Sequence, residues 1–436
     1  MGNNLCCKQP ESYNIEIVST KDKTSRNNEF SSQKLNAENE SLKKRINNLM
    51  QQISQKDIII NNKEKQIQIL KTSQRSDDDQ KIIKSKGLDN IGATCYMNAT
   101  LQCLSNTKIL RNHFLTKFKE VPNQVISNEF HKLLLNLFNE NDNKKSYSPY
   151  SFKEVLSKEN PLFAGIQAND SKDLINFMIE RMHQELNVAK INFLNNANSL
   201  QQLDQSNENL MLESFLKDYI QQFNSPISNL FYGILETKSQ CKNCNIIKFN
   251  FQIYSFIEFP LQQVNYYYFT MGKRPLVLPN NKNPDVNLYE CFEYYRKVDL
   301  MTGENQMYCN ICNKLCDSFY STSLYSAPNY LIINLNRGKG AVYECNVDFP
   351  EELNLFDYLS YKISNTTFEL YAVICHLGPS SMSGHFVAYI RNNNDYKWYL
   401  YNDSIVTECT RPSQYKDGMP YILFYKVLKG GPNASY

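Results

Sequence analysis

Two rhythms of apolar residues divide this chain. From Leu35 to Leu70 they recur every seven positions, with Ile46, Ile53, Ile60 and Ile67 on one seam position and Leu42, Leu49 and Leu70 on its partner. Ile and Leu so placed favour a two-stranded parallel coiled coil, and Asn39, one heptad upstream, is the kind of buried amide that fixes register. Lys56 and Lys63 interrupt the seam, so a single solvated helix is the alternative. The expected organisation is a disordered stretch over 1–33, a coiled coil over 34–72 that makes a homodimer, and a polar linker over 73–86. Beyond residue 87 the spacing switches between helical and strand-like until about residue 427, and 428–436 is a tail. Only Tyr13 and Phe30 are aromatic in the first 86 residues of a chain that holds 29 Tyr and 24 Phe, which places the folded core after them. The Asn/Gln-rich run from Asn187 to Asn209 keeps neither rhythm and reads as a surface insertion.

Two segments of the core carry candidate chemistry. In Gly87 to Leu104, Gly92 ends an irregular stretch, Thr94 is placed to cap, and Met97, Leu101 and Leu104 follow at helical spacing. Cys95 is therefore expected in the first turn of a buried helix, where the positive end of the dipole favours thiolate. Cys103 lacks that setting and reads as core. Ser383–Ile390 and Lys397–Tyr401 read as strands joined by the polar run Arg391–Tyr396. Closing that hairpin with Arg391 opposite Tyr396 sets His385 opposite Asn402. The carboxamide would then orient the imidazole while the other ring nitrogen faces a thiol. Asp403 is the second candidate for the same role. His113, His131, His183 and His376 read as structural.

Composition narrows the classes. At 42% apolar the chain can bury a large core, and a net charge of +3 provides no basic field for a nucleic-acid polyanion. Thirteen cysteines spread over 436 residues, with no secretory pattern at the start, predict a reducing, cytoplasmic setting. No apolar run approaches the roughly 18–20 residues that span a bilayer. Gly2 after Met1, with Cys6 and Cys7 close behind, resembles a myristoylation signal followed by palmitoylation sites, and two such chains would hold a protein at the cytoplasmic face of a membrane. Cys6 departs from the Ser or Thr of that signal, and a chance Met-Gly start is the alternative. Cys241 with Cys244 and Cys309 with Cys312 form two Cys-x2-Cys knuckles, whose four thiolates make a closed, structural zinc site. Cys316 is an alternative ligand.

The Cys95 and His385–Asp403 segments resemble the Cys and His boxes of the ubiquitin-specific protease family of papain-like cysteine peptidases. The resemblance extends over about 87–427 and ends at Tyr421–Tyr425, which is similar to the last strand of that family. It implies Cys95 as nucleophile, His385 as general base, Asn402 as the third triad member and Asn90 as an oxyanion donor. Gln167 to Leu174 resembles the Gln/Asp helix of the family, with Asp173 and Leu174 standing where Glu and Phe are commoner. That likeness implies contacts from Gln167 and Asp170 to the arginine-bearing tail of ubiquitin. Phe386 replaces the usual Tyr, and Gly338-Lys339-Gly340 follows the Leu331–Arg337 strand where an aromatic is usual.

The expected fold is α+β and papain-like. A helical thumb carries Cys95, a sheet palm carries His385 and Asn402, and zinc-stapled fingers over about 230–325 grip ubiquitin. The expected function is deubiquitination, with Gly384 helping to form a channel narrow enough for Gly-Gly alone. Ubiquitin or ubiquitinated proteins are the implied partners. The rivals are a catalytically silent ubiquitin-binding scaffold anchored at a membrane and a Cys/His acyltransferase.

Overall fold

The computed structural model describes residues 85–189, 204–280, 282–361, 366–380, 383–412 and 418–428. The coiled coil, Gly2, Cys6 and Cys7, and most of the Asn/Gln-rich insertion lie outside them. An eight-stranded sheet organises the rest. Its strand order is Ile405–Cys409, Trp398–Asn402, Ser383–Arg391, Thr367–Ser380, Met419–Val427, Tyr330–Asn336 and Ile257–Pro260, with Glu352–Asn354 added beside Thr367–Ser380. Only the last pairing on that path, Tyr330–Asn336 with Ile257–Pro260, is parallel.

Both faces of this sheet are covered, and the strand sequences say why. Central strands buried on two sides read as continuous apolar runs, as Tyr330-Leu331-Ile332-Ile333-Asn334-Leu335 does. Tyr330 and Ile332 point to one core, Leu331, Ile333 and Leu335 to the other. Ile422 and Phe424 alternate with Leu423 and Tyr425 in the same way. The first core is closed by helices Cys95–Ser105, Lys108–Thr116, Val125–Leu137, Tyr150–Glu159, Ser171–Leu186 and Pro226–Phe231. The second is closed by the short helices Leu261–Thr270 and Leu288–Tyr295.

The Cys95–Ser105 helix is the centre of the helical layer, with all eleven residues buried. Its sequence carries no charge, and the amides of Asn98 and Gln102 donate to partners, as buried donors do, whereas Ser105 Oγ and Asn98 Oδ1 are buried without one. Gln102 Nε2 donates to Lys86 O at 2.8 Å, and Thr107, just beyond the helix, shares a 2.9 Å hydrogen bond with Tyr371. Contacts of this kind move the domain start. Ser85 is 3% exposed and donates to Tyr401 Oη at 2.9 Å, and Lys86 pairs with Asp142 at 2.8 Å. The last two positions of the predicted linker thus belong to the packed fold. At its other edge the predicted insertion is too long as well, since a helix covers Glu208–Gln222 and Asn207 caps it.

A second, four-stranded antiparallel sheet has the order Ile247–Tyr254, Gly233–Cys241, Ser318–Ser326 and Asp299–Met301. A hairpin of Met307–Cys309 and Lys314–Cys316 accompanies it. The predicted fingers over 230–325 are therefore not one continuous unit. Ile257–Pro260 joins the large sheet through Tyr330–Asn336, and the two following helices pack on its second core.

Candidate functional site

The chain enters the Cys95 helix through a left-handed bend, with φ of 120° at Gly92 and 47° at Ala93. Thr94 occupies the N-cap position but does not cap: its Oγ1 accepts from Ile91 N at 3.1 Å, upstream of the helix. Asn90 Oδ1 holds the bend instead, accepting from Gly92 N at 3.2 Å and Thr94 N at 3.1 Å. Cys95 opens the helix and is 5% exposed. Its side chain is hydrogen-bonded to the His385 imidazole. On the other side of the ring, Nε2 lies 2.6 Å from Asn402 Oδ1, which leaves Nδ1 for the thiol. The bond to Cys95 is the main cause that lifts His385 to about 9, with the Asn402 bond, the Cys95 charge and Asp403 adding to it against burial.

The hairpin that delivers His385 closes two residues later than its sequence suggests. Arg391 pairs with Trp398, and Asn392 N donates to Lys397 O. Asn402 is thus diagonal to His385 rather than directly across from it. Side chains alternate faces with a period of two, so a two-residue error keeps both on one face, and diagonal neighbours remain within reach of long side chains. Asn402 ends its strand, and a two-residue turn with φ of 51° at Asp403 returns the chain at Ile405.

That turn places Asp403 differently from the alternative role foreseen for it. Its Oδ2 is 3.8 Å from His385 Nε2, beyond the hydrogen bond that Asn402 makes. Instead it accepts from Asn90 Nδ2 at 2.9 Å and, through Oδ1, from Asn98 Nδ2 at 2.8 Å. One carboxylate therefore ties the bend before Cys95 to the helix one turn after it. Asn98 escaped the sequence reading. The available signal was a polar residue three positions after Cys95 on a helix with no other call for one, since an uncharged buried helix needs a stated partner for each amide.

The remaining candidates separate. Asp170 is the N-cap of the Ser171–Leu186 helix, its Oδ1 accepting from Lys172 N at 2.8 Å, while Oδ2 accepts from Tyr421 Oη of the sheet. Gln167 lies exposed in the preceding loop, outside these bonded groups. Gly384 has an internal reason to be glycine: a Cβ there would sit 2.4 Å from the His376 ring and 2.6 Å from Leu377 O. His376 is 1% exposed, packs edge-on against Phe386 and is held below the usual histidine range by burial.

At the far end of the four-stranded sheet the two Cys knuckles meet. The Sγ atoms of Cys241, Cys244, Cys309 and Cys312 all lie within 4.8 Å of one another. A tetrahedral zinc with bonds of about 2.3 Å would set neighbouring sulfurs about 3.8 Å apart. Cys241 and Cys312 are 3.9 Å apart and Cys244 and Cys309 3.6 Å, so the four thiols fit such an ion.

Known proteins share sequence and fold with this chain. Human ubiquitin carboxyl-terminal hydrolase 2 is 27% identical over 354 residues, covering 78% of this chain and 55% of its own length. Human ubiquitin carboxyl-terminal hydrolase 21 is 28% identical over 372 residues, covering 80% and 62%. The chain thus spans between half and two thirds of the length of these curated relatives. Among solved structures, the SAGA DUB module Ubp8/Sgf11/Sus1/Sgf73 bound to monoubiquitin shares the fold, with a TM-score of 0.57 and 20% identity over 79% of this chain and 70% of that one. The family model for ubiquitin carboxyl-terminal hydrolase matches residues 86–425, from the strand before Cys95 to the strand beside Thr367–Ser380. The chain belongs to the ubiquitin carboxyl-terminal hydrolase family.

Proposed function

We propose that this chain is a thiol-dependent deubiquitinating peptidase that cleaves the bond after the C-terminal glycine of ubiquitin. The carrying observation is the hydrogen-bonded series Cys95, His385 and Asn402, with the imidazole raised to about 9. Cys95 Sγ attacks the glycine carbonyl and gives its proton to the imidazole, His385 returns that proton to the leaving amine, and water attacks the thioester with His385 as base. Asn90 Nδ2, held by Asp403 beside the first turn of the Cys95 helix, is the side-chain donor to the developing oxyanion. A donor of this kind supplies roughly 3–4 kcal/mol.

The substrate reading rests on charge as well as family. Burial first, and then the neighbouring carboxylates of Asp170 and Glu258, push the Asp173 carboxyl up. Acidic groups crowded at one helix start suit a cationic peptide, as the arginine-bearing tail of ubiquitin is, and Asp170 and Gln167 are the residues we assign to it. Zinc on Cys241, Cys244, Cys309 and Cys312 would staple the four-stranded sheet that faces ubiquitin's globular part. With four thiolates its coordination is closed, so its contribution is structural.

The decisive experiment is reaction with ubiquitin bearing a C-terminal electrophile, followed by peptide mass mapping. The adduct is expected on Cys95 and is expected to vanish in Cys95→Ala. An adduct on another cysteine, or none with an intact fold, would overturn the proposal. Ubiquitin whose terminal glycine is replaced by leucine is expected to be a poor substrate, and full-rate cleavage would exclude a narrow channel.

A further inference from the structure

Five sulfurs, not four, gather at the end of the four-stranded sheet. Cys316 packs with the other members of the cluster and is 2% exposed, whereas Cys312 is only partly buried. The Cys316 Sγ lies in the same cluster as Cys241 and Cys312 and donates to Lys314 O at 3.6 Å. Asn243, inside the first knuckle, aims its Nδ2 at Cys316 Sγ at 3.5 Å. An amide N–H directed at a sulfur is the outer-shell contact that steadies a metal-bound thiolate, yet here it serves the one sulfur outside the mutually close four.

We infer that Cys316 is a reserve zinc ligand that takes the coordination place of Cys312. The inference rests on the zinc reading above and adds to it. Cys241, Cys244 and Cys309 are common to both ligand sets, and the fourth corner of the tetrahedron has two claimants on one short hairpin. Both belong to the segment Cys309–Cys316, whose turn passes through Asn313 at a φ of 52°. The exchange needs no redox partner: one Zn–S bond breaks at Cys312, one forms at Cys316, and a proton passes from the incoming thiol to the outgoing thiolate. A site with a spare ligand keeps its metal when the more exposed Cys312 is alkylated or oxidised.

Zinc content of the full-length protein and cobalt(II) substitution spectra test this without reference to activity. Wild type is expected to hold one zinc, Cys312→Ser to keep it with a four-thiolate cobalt spectrum, and the Cys312→Ser/Cys316→Ser double variant and Cys309→Ser to lose it. A wild type without zinc would remove the underlying zinc reading. A zinc-bearing wild type with a Cys312→Ser variant as depleted as Cys309→Ser would overturn only the present inference, as would a double variant that keeps its metal. Should Cys312→Ser fail to fold, alkylation of the zinc-loaded wild type decides. Singly labelled molecules are expected, on Cys312 in some and on Cys316 in others, with the metal retained, and label confined to Cys316 would overturn the exchange.

Discussion

His385 is the residue where structure becomes chemistry, because its proton has two claimants. The ring is lifted to about 9 chiefly by its bond to Cys95. An imidazole usually titrates near 6.5, so the protonated ring contributes fully to folding below about pH 6.5, and that contribution is lost as pH rises through about 9. The same proton is needed to expel the amine, so turnover is expected to fall on an alkaline limb near pH 9. Asn402→Ala removes a bond that favours the charged ring, and a pH–rate profile should show that limb shifted to lower pH together with a reduced kcat. An unshifted limb would mean that Asn402 does not set the ring's titration. Asn90→Ala is expected to lower kcat by about 10²–10³-fold. Asp403→Ala should approach the same loss by freeing Asn90 and Asn98, and single-turnover kinetics will read both. If Asp403→Ala instead left kcat intact while Asn90→Ala did not, the carboxylate tie between the two amides would be irrelevant to catalysis.

At the scale of elements, what the sequence could disclose depended on how locally each feature is written. The Cys95 helix is local: uncharged, apolar at helical spacing and entered through Gly92, it was legible even though Thr94 proved a poor cap. The His385 hairpin was legible in face but not in register, since polar turn residues do not state where the last ladder bond closes. The Asp403 tie to Asn98 joins elements far apart in sequence and leaves no periodic trace in either. The same holds for Gly384, whose need for no side chain is set by His376 on the neighbouring strand. Gly384→Ala is expected to destabilise the protein by about 1–3 kcal/mol through overpacking, read as a lower Tm. Adding His376→Ala should restore much of that Tm. If turnover remains low in the double variant, Gly384 is needed by the substrate as well as by the fold.

For the whole molecule, the two sheets are stabilised in different ways. The large sheet has an apolar core on each face. The four-stranded sheet gives Leu235, Tyr254 and Leu324 to the second of those cores, packs Phe251 against Tyr325 and against Phe215 of the Glu208–Gln222 helix, and carries the cysteine cluster at its far end. Metal binding in such a site is folding free energy for the region around it. Chelation is therefore expected to raise amide exchange in Gly233–Cys241 and Ile247–Tyr254 while Tyr330–Asn336 stays protected, as hydrogen-exchange mass spectrometry would show. Uniform loss of protection would mean that the metal supports the entire fold. The run from 230 to 325 looked like one unit because Cys spacing brackets it. The excursion of Ile257–Pro260 to the large sheet was hidden, since a four-residue parallel edge has little sequence signature.

The thiol and its base sit at residues 95 and 385, and the base strand lies inside a sheet that Met419–Val427 completes. At a synthesis rate of about 5–20 residues per second, His385 leaves the ribosome roughly 15–60 s after Cys95. A growing chain thus carries the sulfur without the group that activates it. On the proposed mechanism, the chain is expected to stay inert during synthesis until the last strands close against the helix.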